Sequence, residues 1–268
     1  MSRTVNLVFL GDINGAPGKA ALERHLPQVR ERWTPDVIIA NAENARNGSG
    51  LTPELYRTFR SWGIDAITLG DHVFRDPKVV PFLENPDEPI ARPANLASRA
   101  PGKRWLRIPA AGRRTRDIYV CTVLGRIFFP LPANDPFEAV DSVLGSIPER
   151  RPILVVEAHM EATSEKAALG AWCDGRAALV VGTHTHVPTA DARILRKGTG
   201  FITDVGMCGP YDSVIGRDTD AVVRHMTTAL PVHYEMGQND ARTCGVFVEI
   251  SEDTGLANRI ERIEITGG

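Results

Sequence analysis

Gly182-Thr183-His184-Thr185-His186 sets two histidines two positions apart, directly after the apolar run Ala178-Leu179-Val180-Val181. A short apolar run rich in valine reads as a buried strand, so the pair lies where a strand gives way to a loop. Ligands of open α/β sheets gather at the carboxyl ends of strands. Four more polar segments occupy the same kind of place. They are Gly11-Asp12 after residues 5–10, Glu43-Asn44 after 37–41, Gly70-Asp71-His72 after 66–69, and Glu157-Ala158-His159 after 153–156. A lone Asp after a strand is usually a helix cap, and a lone His is usually packed or solvated. Repeated delivery of Asp, Glu, Asn and His at strand ends describes a metal centre instead. A carboxylate can bridge two ions, while imidazole and amide ligands complete the set without adding negative charge. Two ions roughly 3.5–4 Å apart can activate a water and clamp a phosphoryl transition state. No cysteine lies in these segments, and an N/O donor set favours Fe, Mn or Zn over a thiolate site.

The rest of the chain fits an α/β protein. Strands at 5–10, 37–40 and 66–69 alternate with helices in a βαβαβ order, which predicts a parallel sheet with right-handed crossovers. Pro17 can open the first helix, with Leu22, Leu26, Val29 and Trp33 at helical spacing. Thr52-Pro53-Glu54 is a helix start, with an end near Gly63, and Asp76-Pro77 and Asp135-Pro136 repeat the signal. Thr163 and Ser164 are expected to cap the helix that runs to about Cys173. Residues 85–115 are rich in Pro, Arg and Gly and read as a connection over an edge. Strands return at 118–124, 153–156 and 178–181. The later runs at 192–195, 200–203, 245–250 and 259–265 suggest a second, mostly antiparallel sheet. Gly206–Tyr211 reads as a loop near substrate or as a plain turn, and His25, His225 and His233 as structural or exposed.

Composition narrows the classes. The 268 residues allow one domain or two small ones, and a formal net charge of −2 with interspersed signs argues against capture of nucleic acid or an anionic membrane. Cys121, Cys173, Cys208 and Cys244 are scattered without a CxxC pair, which points to a reducing, cytoplasmic setting. No apolar stretch approaches the ~20 residues of a membrane span. Gly11, Gly15 and Gly18 follow a strand, but their GxxxGxxG spacing departs from the dinucleotide fingerprint, and Asp12 would face a pyrophosphate. Lys19 is followed by Ala20, which excludes a P-loop, and no GxSxG elbow is present.

Six stretches resemble the calcineurin-like metallophosphoesterase superfamily, in particular its YmdB-like branch of bacterial cyclic-nucleotide phosphodiesterases. They begin with Gly11-Asp12-Ile13-Asn14-Gly15, Asn41-Ala42-Glu43-Asn44-Ala45 and Ile67-Thr68-Leu69-Gly70-Asp71-His72. The others are the stretch from His159 through Glu161-Ala162-Thr163-Ser164-Glu165-Lys166, Val181-Gly182-Thr183-His184-Thr185-His186-Val187, and residues 202–211. The resemblance implies a four-layer α/β/β/α sandwich of two mixed sheets, in one domain over residues 1–268. It implies two metal ions, Fe or Mn with Zn as an alternative. Asp12, Glu43, Asn44 and His186 would hold one metal, and Glu43 would bridge to a second held also by Asp71, His159 and His184. His72 would be the general acid in hydrolysis of a small phosphodiester, such as a 2′,3′-cyclic nucleotide, by hydroxide activated at the metals. A homo-oligomer without a stable nucleic-acid or membrane partner is also implied. Two alternatives stay open: a metal-binding regulator with weak or lost activity, and a general phosphomonoesterase. The chain departs from the family motif at Asp71, where Asn is usual, and at Glu157-Ala158, where Asp-Phe is more common. Glu157 could orient His159 from behind or be solvated.

Overall fold

The computed structural model describes residues 3–129 and 131–267. The opening elements alternate as predicted: β1 (Thr4–Leu10), a two-residue β2 (Asp12–Ile13), helix α1 (Gly15–Trp33), β3 (Val37–Asn41), α2 (Pro53–Ser61) and β4 (Ala66–Thr68). β3 is parallel to both β1 and β4. Helix α1 begins at Gly15, so Pro17 falls at its third residue rather than its first. Thr52 caps α2 by accepting from Leu55 N, and Gly63 (φ 77°) takes the left-handed conformation beyond the helix end. Asp76 caps a 3₁₀ turn that leads into α3 (Val80–Glu84).

The stretch 85–115 is more than a connection, because it contributes β5 (Leu106–Ile108), antiparallel to β6 (Ile118–Leu124). Helix α4 (Pro136–Ser146) starts at Asp135, whose carboxylate accepts from Phe137 N and Glu138 N. Then come β7 (Ile153–His159), α5 (Thr163–Cys173), β8 (Leu179–Thr183), β9 (Arg193–Ile194) and β10 (Gly200–Ile202). The residue at the start of α5 is Ala162, and no side chain caps it, so the capping role expected of Thr163 and Ser164 is not realised. The chain closes with β11 (Met207–Asp212), α6 (Thr219–Thr228), β12 (Asn239–Ser251) and β13 (Ala257–Ile265). Gly206–Tyr211 is thus mostly strand, not turn.

Among the described residues, β2-β11-β12-β1-β3-β4 form one sheet with β13 on β12, and β5-β6-β7-β8-β10-β9 form the other. This corrects the expected second sheet in part: β9 and β10 do lie in it, but the last two runs do not. The late hairpin β12–β13 returns to the first sheet, antiparallel to β1, while the middle strands build the second and make it largely parallel. Cys244–Val248 of β12 is buried on both faces, and such a strand needs a covered, interior place.

Strand alternation sorts side chains into three apolar layers. Val5, Leu7 and Phe9 meet Val155, Leu179 and Val181 between the sheets. Val8 and Leu10 face Leu22, Leu26 and Phe59 of α1 and α2. Leu154, Val156 and Val180 face Val140 of α4 and Leu169 of α5. The order of layers is therefore α/β/β/α. At Gly182 a Cβ would collide with the Thr203 carbonyl. Gly182→Ala is expected to cost about 3 kcal/mol, the upper range of overpacking, because a backbone atom cannot swing aside. Urea denaturation checks it; an unchanged midpoint would contradict the packing described.

Candidate metal centre

The carboxyl ends of β1, β3, β4, β7 and β8 converge at one edge of the sandwich, and each delivers residues that the sequence singled out. Glu43, Asp71, His159 and His184 each offer a donor atom, all within 4.8 Å of one another. Glu43 Oε1 lies 3.3 Å from His159 Nε2, and Asp71 Oδ1 lies 3.0 Å from the same nitrogen. Asp12 joins from β2, its Oδ2 accepting from His184 N at 3.2 Å. Asn44 donates through Nδ2 to Glu43 Oε1 at 3.1 Å and sits 3.2 Å from His186 Nε2. His72 lies at the edge, with Nδ1 2.7 Å from Asn44 Oδ1 and its backbone N–H donating to Glu43 Oε2 at 3.0 Å. The structure brings all eight predicted residues together. Gly70 lets this happen, since a Cβ there would strike His159 Nε2 and Glu43 Oε2.

Partners behind the ring fix each imidazole. His159 Nδ1 is 2.9 Å from Thr183 Oγ1, which donates in turn to Glu157 Oε1 at 2.9 Å. His184 Nε2 is 3.2 Å from Glu161 Oε2, which turns Nδ1 toward His159 and Asp71. His186 Nδ1 is 2.9 Å from the Ile215 carbonyl, which turns Nε2 inward. An outer acceptor that takes one ring proton leaves the other nitrogen's lone pair for a metal. Glu157 is fully buried rather than solvated. It also accepts from Asn41 Nδ2 at 2.7 Å and Thr122 Oγ1 at 2.6 Å. Glu157→Ala is expected to weaken metal affinity about 10–100-fold. Titration of metal-free protein with Mn²⁺ checks this, and an unchanged affinity would show that Glu157 does no more than fill space.

The electrostatics call for positive charge. Burial would push the Asp71 carboxyl up, but hydrogen bonds from His159 and His184 hold it well below the usual carboxylate range. Glu43 is also held down against burial, chiefly by His159. Asp12 goes the other way: burial raises it, His186 and His159 only partly offset this, and Glu43 and Asp204 add to it. Burial would lower His159, yet Glu43, Asp71 and Asp12 lift it well above the ordinary imidazole value. Asp12 Oδ1 is buried with no hydrogen-bond partner. An orphaned carboxylate oxygen, and ring nitrogens aimed at carboxylates, suit a bound cation. These residues fit a metal centre of hard N/O donors.

Thr183, Glu161, the Ile215 carbonyl and Phe129 were not read from the sequence. The Phe129 ring packs 4.8 Å from the His184 ring and walls the site. Two of them had a local signal: Glu161 stands two residues after His159, and Thr183 directly precedes His184. His25 is a satisfied core histidine, bonded to Thr243 Oγ1 and the Gly267 carbonyl.

Two facing mixed sheets, with carboxylates and histidines gathered at their strand ends, define a metallophosphoesterase fold. A family model described as YmdB-like protein matches residues 8–263, and the chain belongs to that family. The 2′,3′-cyclic-nucleotide 2′-phosphodiesterase of Bacillus subtilis (strain 168) is 40% identical over 261 residues, covering 97% of each chain. A crystal structure of a hypothetical protein from Thermus thermophilus superposes with a TM-score of 0.88 at 39% identity, covering 98% of this chain and 100% of that one. A novel phosphatase from Mycoplasma pneumoniae superposes with a TM-score of 0.90 at 31% identity, covering 99% of this chain and 95% of that one.

Proposed function

We propose that the chain is a metal-dependent phosphodiesterase acting on 2′,3′-cyclic nucleotides. The observation that carries this reading is the convergence of Glu43, Asp71, His159 and His184 within 4.8 Å. The name of the Bacillus subtilis relative supports the substrate class. Asp12, Glu43, Asn44 and His186 would hold one metal; Glu43, Asp71, His159 and His184 would hold the second. Two such ions supply positive charge to phosphoryl oxygens and acidify water. Iron or manganese suits the N/O donor set, with zinc as the alternative.

The chain's own residues do the rest. Glu157 and Thr183 keep the proton of His159 on Nδ1. The Asn44 amide meets His72 Nδ1 at 2.7 Å, which leaves Nε2 of a partly exposed ring to face substrate. His72 donates the proton that the departing ribose oxygen needs. Phe129 covers the His184 face and limits water there.

Asp71 places a carboxylate where an amide is usual. It binds cations more tightly but donates charge that opposes polarisation of water. Asp71→Asn is expected to bind Mn²⁺ about 10-fold more weakly, on the scale of one altered ligand environment, and to turn over faster per loaded site. Unchanged affinity and unchanged saturated rate would remove the idea.

The chain acts as one domain, supported by the return of β12 and β13 to the sheet that β1 begins. A cytoplasmic setting is supported by four free, buried cysteines. No helix among the described residues is long and apolar enough to cross a membrane. Self-association has apolar surface available on α6, where Val223 and Met226 are exposed. Phosphorus NMR on Mn²⁺-loaded protein tests the reaction. Conversion of 2′,3′-cyclic AMP to the 3′-monophosphate, without further loss of phosphate, is expected. Release of phosphate from monoesters at the same rate would favour a phosphomonoesterase instead.

A further inference from the structure

Lys166 and Asp204 form an ion pair inside the protein that the proposed chemistry does not use. Lys166 Nζ lies 2.6 Å from Asp204 Oδ2, and each side chain is only 1% exposed. The pair links the first turn of α5 to the segment just past the end of β10. A buried ion pair is an expensive way to join two elements, and apolar residues commonly do so at lower cost.

What else Asp204 touches gives the reason. Its Oδ2 accepts from Thr185 N at 3.2 Å and from Thr185 Oγ1 at 2.8 Å, and its Oδ1 accepts from Gly206 N at 2.8 Å. Its backbone is held as well: Thr189 N donates to the Asp204 carbonyl at 2.9 Å. Thr185 stands between the two histidines of the opening motif. His184 (φ 92°) and His186 (φ 67°) both take left-handed backbone conformations, which only a few per cent of non-glycine residues adopt. Such conformations persist only where the surroundings over-determine them. Asp204 grips the residue between them by both backbone and hydroxyl, and Lys166 neutralises Asp204 where no water reaches.

We propose that Lys166 and Asp204 are positioning residues that act through Thr185 to hold His184 and His186 on the metals. This rests on the hydrolase reading for its purpose, but it is measurable as metal affinity. The Lys166→Met/Asp204→Asn double variant removes both charges together and avoids stranding one. Thr185→Val keeps the ion pair and removes the hydroxyl, with its bond to Asp204 and its longer contact from Val187 N at 3.4 Å.

The test titrates full-length, chelator-stripped protein with Mn²⁺. Circular dichroism, the thermal midpoint without metal, and the electron paramagnetic resonance of the loaded protein are recorded alongside. The double variant is expected to keep its fold and bind Mn²⁺ about 10–100-fold more weakly, the range for partners behind metal ligands. Thr185→Val should fall between it and wild type. Both should show altered resonance spectra, and kcat for a cyclic diester should fall while KM holds. A purely structural pair would lower the thermal midpoint and leave affinity and spectrum alone, which would overturn the proposal. If the double variant does not fold, wild-type affinity in folded Thr185→Val overturns it equally. Wild-type protein that binds Mn²⁺ yet leaves every cyclic diester intact would refute the hydrolase reading alone. The affinity comparison would still decide the positioning role.

Discussion

Glu43→Gln is expected to strip metal from the protein and to lower cyclic-diester hydrolysis by at least about 10³, the scale of losing a preorganised electrostatic element of the site. Glu43 is 1% exposed and its two oxygens serve different neighbours. Oε1 faces His159 Nε2 at 3.3 Å and accepts from Asn44 Nδ2, while Oε2 accepts from His72 N. Glutamine keeps the shape but exchanges one acceptor for a donor and removes the charge that two cations would share. Removing that charge also takes away a partner of buried His159, so some loss of stability in the metal-free protein is expected as well. The expected signature is therefore a lost metal complement and lost rate in a protein that still folds. Metal analysis together with the rate checks this; full metal content at full rate would mean that Glu43 bridges nothing.

The second large effect is expected at His72. His72→Ala should retain the full metal complement and lose about 10²–10⁴ in rate, the usual contribution of general acid catalysis. Its ring is 24% exposed, in contact with Asn44 on one side and 3.7 Å from Asp71 on the other. It can thus reach a leaving group while remaining tied to the ligand set. The loss should depend on the substrate. A ribose alkoxide needs a proton to depart, whereas p-nitrophenolate does not, so bis(p-nitrophenyl) phosphate should suffer far less than 2′,3′-cyclic AMP. Equal losses on both would assign His72 to binding or to structure, and no loss on either would dismiss it.

The inner residues of the centre were legible because each follows an apolar strand. A valine-rich run that ends in Gly-Thr-His or Glu-Ala-His marks its own strand end, and parallel strands bring such ends to one edge. What lies behind them depends on register between elements far apart in sequence. Lys166 meets Asp204 across 38 positions and Asn41 meets Glu157 across 116, and no local pattern announces either contact. Nor does any local pattern announce that a backbone carbonyl at Ile215 will turn His186. The two mixed sheets are present as expected, but the placement of the last hairpin in the second of them failed for a related reason. Alternation in β12 and β13 specifies an antiparallel hairpin but not which sheet receives it, and the burial of Cys244–Val248 on both faces decided that. At the start of α5, Glu165 turns to accept from Arg126 N at 2.9 Å, and no Ser or Thr hydroxyl takes up the cap that the sequence offered.

The most direct test of the metal centre is hydrolysis of 2′,3′-cyclic AMP by one preparation, first stripped by chelator and then reloaded with Mn²⁺. The stripped protein should be inactive and the reloaded protein active, in proportion to metal bound up to two ions per chain. Undiminished hydrolysis in the stripped protein, or none after it has taken up two ions, would contradict the account.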